Sequence, residues 1–579
     1  MKKSLFNIKC VSIAAAMLTI LPAPLKADPV DALKARRIAE NFLKADTRAG
    51  GLTLLWDGLD SRTRGGEQPL FYIFNREGGG WVMIAGDDSL DPIQAYSYDG
   101  RFEVEGMPEN LAEHMELYKE QVRNARRQGK KSLTADWIQA SVPTRAGDTV
   151  ATAKLLVTAL YNQGAPWNLL CPEIDGKHAL AGCCAIAQAI IMQYHKYPDA
   201  GEGTLPGYSG SNYTAPTIVL GHKYEWDKIL PRYKSGNYTE EEALAVATLV
   251  RDIAIMGRSS FGLSGTGSGA ATMCNRARTF FKYNKGLYRC SHSFYSDEEW
   301  FALLKRDIDD NLPVNYASNT HSWVCDGYDA RGYVHFNYGW GGTSNGFYNI
   351  KGKTAYGCNV RQIPSRGEES SRSIFLTTSN GNTGIVPSRA NPVKGTSFTV
   401  KIGAMNNYGF DPFKFDWMIA HVDRDGNIKE TVSDITSLSL DYNKYKEYTG
   451  VQCLINEDIH LGDKLKAFYR EAGTDGSWIP MLYNQGEDFA GEYELTGVPL
   501  EKQCSVSYDR ETKNMIIVAK DRNLGFKLLD ANGNEVPDAI AGRYEKVMVY
   551  GSKLPAGTYT VQVSQKLYVD VMNITLKVR

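Results

Sequence analysis

The sequence predicts an α+β protein whose last third is all β. Between residues 146 and 380, helical periodicities come first and apolar strand runs afterwards, an order that suits an α+β domain better than a doubly wound sheet. From residue 381 onward, alternating strands and Asp-Gly or Asn-Gly turn pairs replace long amphipathic helices. A smaller helix–hairpin–helix stretch precedes both, at residues 28–145. The chain has 579 residues, too many for one ordinary domain; a length prior suggests roughly three to five.

The N-terminus reads as an address. Lys2 and Lys3 form a basic region, Val11 to Leu21 an apolar run, and Pro22 to Ala27 a cleavage region ending at Ala27/Asp28. The run is too short to cross a bilayer, so residues 1–27 are expected to be a removable export signal. Cys10 precedes most of the apolar run and is poorly placed for lipidation. The mature protein is expected to be secreted or held at the cell surface.

Composition excludes several classes. Lys+Arg (65) and Asp+Glu (66) balance to a net charge of −1, so there is no basic excess for nucleic acid. Hydrophobic content of 43% is enough for large cores. Removing Cys10 from the 10 cysteines leaves nine; an odd number in an exported protein implies at least one thiol outside any internal disulfide framework. No Cys-x-x-Cys pair exists, which weakens zinc-ribbon and thioredoxin readings.

In residues 28–145, a helix is expected from about Pro29 to Ala45. A hairpin follows, Leu70 to Phe74 and Trp81 to Ala85 around Gly78-Gly79-Gly80, then a strand over Pro92 to Ser97. Pro108-Glu109-Asn110 opens a charged helix reaching about Arg127. A basic, breaker-rich segment (Arg126, Arg127, Lys130, Lys131) and Arg145 offer cut sites. Such a module between an export signal and a nucleophilic region suggests a pro-segment; the alternative is a stable accessory domain.

Residues 146–380 carry the chemistry. Cys183 to His195 reads as a helix, with Ile186, Ala189, Ile190 and Tyr194 on one apolar stripe, Gly182 before it and Pro198 after it. Helices are also expected at Glu240 to about Met256, from the Gly/Ser loop at Phe261–Ala271 through Phe281, and at Asp297 to Asp310. Strands follow at Pro313 to Ala317, His321 to Tyr328 and Val334 onward. Residues 381–498 and 499–579 read as two β-sandwich modules, with turns at Asp425-Gly426 and Asn532-Gly533 and a boundary near Val498 to Gln503.

Cys183 sits at a helix N-terminus, where unpaired N–H groups and the macrodipole favour a thiolate. A cysteine nucleophile also needs a base, a group that orients the base, and oxyanion donors. His321 lies 138 residues downstream (321 − 183) and Asn337 a further 16 (337 − 321), close to the Cys…His…Asn order of papain-like enzymes. In this reading His321 takes the thiol proton and later protonates the leaving amine. The Asn337 side chain holds one imidazole tautomer, and Trp340 covers that contact. The Gln163 amide and the Cys183 N–H form the oxyanion hole. Each residue also has a plain alternative: a buried structural thiol for Cys183, a core histidine for His321, a loop amide for Gln163, core packing for Trp340.

The local patterns go further than spacing. Gly182-Cys183 with Ala185, Ala187 and Tyr194-His195-Lys196-Tyr197-Pro198 resembles the active-site helix of the streptopain-like cysteine proteases. So do His321, Asp326-Gly327-Tyr328-Asp329 and Asn337-Tyr338-Gly339-Trp340-Gly341-Gly342, with Gln163-Gly164-Ala165-Pro166-Trp167-Asn168 upstream. The pro-region is similar through Phe71 to Asn75, Gly86-Asp87-Asp88 and Pro108-Glu109-Asn110-Leu111. Tyr338 stands where the family often has Trp. The resemblance covers roughly residues 28–375. It implies a papain-like catalytic domain at 146–380, a zymogen whose pro-domain (28–145) is its own inhibitor, and endopeptidase activity on proteins or peptides. It also selects Cys183 over Cys184 as nucleophile. The β modules lie outside the resemblance, though similar tails occur on Bacteroidetes-type relatives, and they are expected to mediate any surface association.

Neither cofactor nor metal is expected. Gly265-Thr266-Gly267-Ser268-Gly269 follows no strand of a βαβ unit and reads as a loop bordering the cleft rather than a dinucleotide site. A Cys183/Cys184/His195 metal site lacks supporting spacing, and His195 and His335 are taken as structural. Two rivals remain: a transglutaminase-like acyl transferase, and a surface adhesin with a vestigial protease domain.

Overall fold

The structure, a computed structural model, describes residues 27–578 apart from 44–50, 60–65, 108, 143–151, 354, 368–372, 378–383, 390–391, 461, 485–490, 496–503, 520–523, 538, 544–545 and 566–570. The export signal expected at 1–27 (Ala27 excepted), the cut site at Arg145 and the module boundary near Val498 to Gln503 lie outside the described residues. The chain divides into two compact units, residues 1–151 with 343–349, and residues 152–342 with 350–579.

In the first unit, α1 (Ala32–Leu43) buries Ala35, Ile38, Ala39 and Leu43. These positions share one helical face, which packs on the strand Trp81–Ala85. Strands Leu52–Trp56, Phe71–Arg76, Trp81–Ala85 and Ile93–Ser97 form an antiparallel meander. α2 (Glu109–Gln128) ends in basic residues. Arg126 lies inside this helix, within the expected limit near Arg127, and its guanidinium donates to Pro69 O at 2.7 Å and Gly86 O at 2.9 Å. α3 (Thr134–Ser141) occupies a stretch that the sequence leaves irregular; Trp137 anchors it through Nε1 to Leu90 O at 2.9 Å.

The sequence places residues 343–349 inside the catalytic segment 146–380; the fold assigns them to the first unit. Strand Gly346–Tyr348 pairs antiparallel with Ile93–Ser97, Phe347 opposite Tyr96, their rings stacked at 5.2 Å. Tyr118 Oη donates to Asn349 O at 2.7 Å and Asn349 Nδ2 to Asp91 Oδ2 at 2.8 Å.

The second unit is built on α4 (Cys183–His195). Every residue from Cys183 to Met192 is buried, so the apolar stripe of the sequence is one part of a helix enclosed on all sides. α4 packs on α5 (Glu240–Met256) and on the strand Ser322–Asp329. α5 starts at a capping box: Thr239 Oγ1 accepts from Glu242 N at 3.2 Å, and Glu242 Oε2 from Thr239 N at 2.7 Å. α6 (Ala270–Phe280) and α7 (Asp297–Asp309) follow. The antiparallel sheet runs Val334–Asn337, Ser322–Asp329, Val314–Ala317, Gly357–Val360, Tyr288–Ser291, and Thr152–Leu155 pairs with the far end of Ser322–Asp329.

Two further cores close the chain. Strands around Phe398–Asn407 and strands around Phe413–Val422 belong to different sheets but share one core that includes Val400, Ile402, Trp417 and Ile419. Ile374–Thr377 pairs with Phe398–Asn407 and feeds the same core. It therefore belongs with the β strands rather than with the segment ending at 380. Residues 504–578 repeat the scheme, with sheets containing Asn514–Ala519 and Gly557–Gln565 meeting through Ile517, Val547, Val561 and Val563.

Candidate active site

Helix α4 opens on Gly182, whose φ is +91°. A Cβ there would stand 2.8 Å from Thr266 O and 2.9 Å from Thr266 Cγ2. Only glycine fits, and the close approach seats the first turn of α4 on the Gly/Ser loop, which links two helices and not a strand to a helix. Leu180 N donates to Gly262 O at 3.0 Å and fixes the same junction.

Cys183 is the first residue of the helix and is 8% exposed. Its thiol is held well below the ordinary thiol range. The Cys184 thiol hydrogen-bonds its sulfur, His321 does the same and adds its charge, and the Ser322 backbone N–H donates as well; burial opposes these and loses. Cys184 is driven the other way by its bond to Cys183 and by burial. Its S–H has a second acceptor in Ser268 O at 3.1 Å. Of the two adjacent buried thiols, the one facing an imidazole and an amide donor is made the more acidic, and its neighbour the less.

His321 is placed by the turn between strands Val314–Ala317 and Ser322–Asp329. Ser318 Oγ accepts from His321 N at 3.1 Å, and His321 O accepts from Ser318 N at 2.9 Å. The ring is partly exposed, as a base that must meet substrate requires.

The segment 158–163 joins the remaining parts. Ala181 N donates to Gln163 O at 3.0 Å, which ties Gln163 to the approach of Cys183. Gly341 N donates to Tyr161 O at 2.8 Å, which ties the Trp340 loop to the same segment. Asn337 Nδ2 donates to Ala159 O and to Thr158 Oγ1, both at 2.9 Å, and Asn337 Oδ1 accepts from Gly339 N at 3.2 Å. A carbonyl can only accept and an N–H only donate, so these partners fix the orientation of the Asn337 carboxamide. Gly339 (φ +73°) lets the loop approach α4: a Cβ there would lie 2.9 Å from Ile186 Cγ2. Trp340 is partly exposed and Gln163 is buried.

Beneath Asn337 runs a polar chain, buried at its centre, that sequence reasoning missed. Thr158 Oγ1 donates to Asp326 Oδ2 at 2.5 Å, and Asp326 Oδ1 pairs with His335 Nδ1 at 2.5 Å. Asp326 is 2% exposed. Asp326-Gly327-Tyr328 was visible as a motif, but nothing local in the sequence links it to Thr158. His195, at the far end of α4, has its Nε2 buried without a hydrogen-bond partner, and burial lowers its pKa to about 4.

The site is thus a thiolate at a helix N-terminus with an imidazole beside it, and glutamine, asparagine and tryptophan loops laced to one segment. This arrangement can attack an acyl carbon and return a proton to the leaving group. Among the described residues, no group of three or more His, Cys, Asp or Glu is arranged to hold a metal ion.

The model of the peptidase C10 family matches residues 161–348, and that of the Spi protease inhibitor matches residues 27–122. Streptopain of Streptococcus pyogenes is 31% identical over 378 residues, covering 60% of this chain and 93% of the relative. The thiol protease/hemagglutinin PrtT of Porphyromonas gingivalis is 32% identical over 350 residues, 57% of this chain and 40% of that one. A fragment of Prevotella intermedia prointerpain A aligns over 55% of this chain and 100% of its own, at 22% identity and a TM-score of 0.45. Membership favours peptide hydrolysis over the acyl-transfer and vestigial-adhesin alternatives. The chain is a member of the streptopain family of cysteine endopeptidases, peptidase C10, and is built as a zymogen with an Spi-like segment at its N-terminus.

Proposed function

We propose that Cys183 is the nucleophile and His321 its general base and acid. The Cys183 thiolate attacks the scissile carbonyl, and the imidazolium of His321 protonates the leaving amine. Water, deprotonated by His321, then hydrolyses the thioester. Gln163 Nε2 and the Cys183 N–H hold the oxyanion, an arrangement in which one donor is worth about 100-fold to 1,000-fold in kcat. Asn337 positions His321, with its own carboxamide locked by Thr158, Ala159 and Gly339. Trp340 walls the cleft. The observation that carries this reading is the convergence of His321 and the Ser322 N–H on one sulfur at the start of a buried helix.

In this reading residues 28–145 are the inhibitory pro-segment, proteins or peptides are the substrates, and the protein acts outside the cell. The two β-sandwich modules beyond the catalytic segment support surface association. The test is incubation of the purified chain and its Cys183→Ala variant, followed by N-terminal sequencing and a casein-cleavage assay with a thiol alkylator as control. The parent is expected to trim itself and cleave casein until alkylated, and the variant to stay full length and inert. Equal behaviour of the two removes Cys183 from the reaction.

A further inference from the structure

Away from the active site, two cysteines face each other across the edge of the catalytic sheet. Cys290 lies in the strand Tyr288–Ser291, which pairs only with Gly357–Val360 among the described strands, and Cys358 is directly opposite it in antiparallel register. Their sulfurs are 3.4 Å apart as free thiols, both buried. Directly opposed antiparallel residues have Cα atoms about 4.5–5.5 Å apart, inside the span of about 4.4–6.8 Å that a disulfide bridges. Closing the bond therefore calls for side-chain rotation and no shift of register. The neighbouring pair reinforces that register: Arg289 is opposite Asn359, and its Nη1 donates to Asn359 Oδ1 at 3.3 Å.

The two thiols differ in access. Cys290 lines a cavity of about 310 Å³ that also contacts Arg289, Phe294, Phe375, Tyr408 and Phe410, where the catalytic sheet meets the first β module. Cys358 is fully buried and is not part of that lining. A small disulfide entering the cavity meets Cys290 first. Cys358 is placed to act second, from inside.

We propose that Cys290 and Cys358 are a dithiol/disulfide site, closed by exchange with a small-molecule disulfide. The Cys290 thiolate attacks one sulfur of R–S–S–R, forming Cys290–S–S–R and releasing R–S⁻. The Cys358 thiolate then attacks the Cys290 sulfur, forming the Cys290–Cys358 bond and releasing a second R–S⁻. Two protein thiols are oxidised, the small disulfide is reduced to two thiols, and both thiol protons pass to solvent or to the departing thiolates. The bond staples the edge strand to Gly357–Val360, whose other neighbour, Val314–Ala317, pairs with the strand starting at Ser322, a residue that contacts Cys183. An oxidising exterior would thus fasten the sheet whose strand Ser322–Asp329 begins beside Cys183.

The test uses the full chain carrying Cys183→Ala, so that the reactive thiol of the active site does not interfere. It is incubated with glutathione disulfide, its remaining thiols are alkylated with N-ethylmaleimide in denaturant, and its peptides are mapped by mass spectrometry with and without dithiothreitol. Alkylation is expected to be lost at Cys290 and Cys358 together. A linked peptide lighter by two hydrogens should appear and be separated by dithiothreitol. In Cys358→Ser the Cys290 peptide is expected to accumulate as the glutathione mixed disulfide, because the resolving thiol is gone. Retention of alkylation at both positions after exhaustive oxidation overturns the proposal, as does linkage of either cysteine to a different one. The mapping of the parent decides the matter even where the serine variant does not fold.

Discussion

The role given to Cys184 can be measured directly. Cys184→Ala removes one donor to the Cys183 sulfur and leaves His321 and the Ser322 N–H in place. A hydrogen bond to an ionised group contributes about 1.5–3 kcal/mol. An S–H is a weak donor, and Ser268 O at 3.1 Å competes for its hydrogen, so about 1 kcal/mol is the expected loss of thiolate stabilisation. At 1.36 kcal/mol per pH unit, that raises the Cys183 thiol by roughly 0.7 pH unit. The alkylation rate with iodoacetamide should fall about fivefold at any pH below the midpoint. Cys184→Ser keeps an O–H donor and should restore most of the loss. The assay is the rate of iodoacetamide labelling against pH for the parent and both variants. Truncation of a buried sulfur also leaves a small cavity, costing on the order of 1 kcal/mol, but that cost appears in unfolding and not in the midpoint of the titration. A midpoint unchanged in Cys184→Ala refutes the donor role. Low-pH labelling that survives in Cys183→Ala and vanishes in Cys184→Ala shows the wrong thiol was assigned.

Two further outcomes follow from the same helix. Gly182→Ala forces a side chain into φ +91° and against Thr266 O at 2.8 Å; strain and clash together should cost about 3 kcal/mol in denaturant unfolding and shift Cys183 enough to lower kcat/KM at least tenfold, by about 1.4 kcal/mol or more. Parent-like values of both would mean that the Gly/Ser loop does not constrain the start of α4. At the other end of α4, the pKa of His195 lies near 4 in the fold, lowered by burial from 6.5. The unfolded chain therefore binds the extra proton first, and stability falls as pH drops from about 6.5 to about 4, by at most about 3 kcal/mol. The partly exposed ring makes the observed loss smaller. Urea unfolding across that range should show a flatter pH dependence for His195→Gln, and parallel curves would remove His195 as the source.

The readable parts of the chain were those with local signals. α5 matches its expected limits because Thr239 and Glu242 cap it and the run ends at Gly257. The hairpin of the first unit follows from its three glycines, and the Asp-Gly turn of the first β region from Asp423, whose Oδ1 accepts from Asp425 N and Asn427 N at 2.9 and 2.8 Å. α3 was missed because it has only eight residues and its Leu133 N-cap offers no side-chain acceptor. The strand Leu52–Trp56 was missed because Leu54 and Leu55 are exposed and the run does not alternate. In the site, the order of Cys183 and His321 pointed to the chemistry. The Thr158–Asp326–His335 chain did not show itself, since Thr158 and Asp326 lie 168 residues apart and the Asp326–His335 contact depends on the register of Ser322–Asp329 against its neighbour. A donor role for Cys184 is hidden from the sequence for the same reason: it exists only once the Gly/Ser loop and Cys183 are in place.

The strand Gly346–Tyr348 begins a few residues after Trp340, yet one of its edges pairs with Ile93–Ser97 of the N-terminal unit. A protease expressed without residues 1–151 would carry that strand with the edge that pairs with Ile93–Ser97 open, next to Phe347 and Tyr348, both buried in the full chain. Aromatic edge strands of this kind recruit other chains. In the full chain the Spi-like segment therefore also covers a sheet edge, and its removal leaves that edge for another strand to occupy.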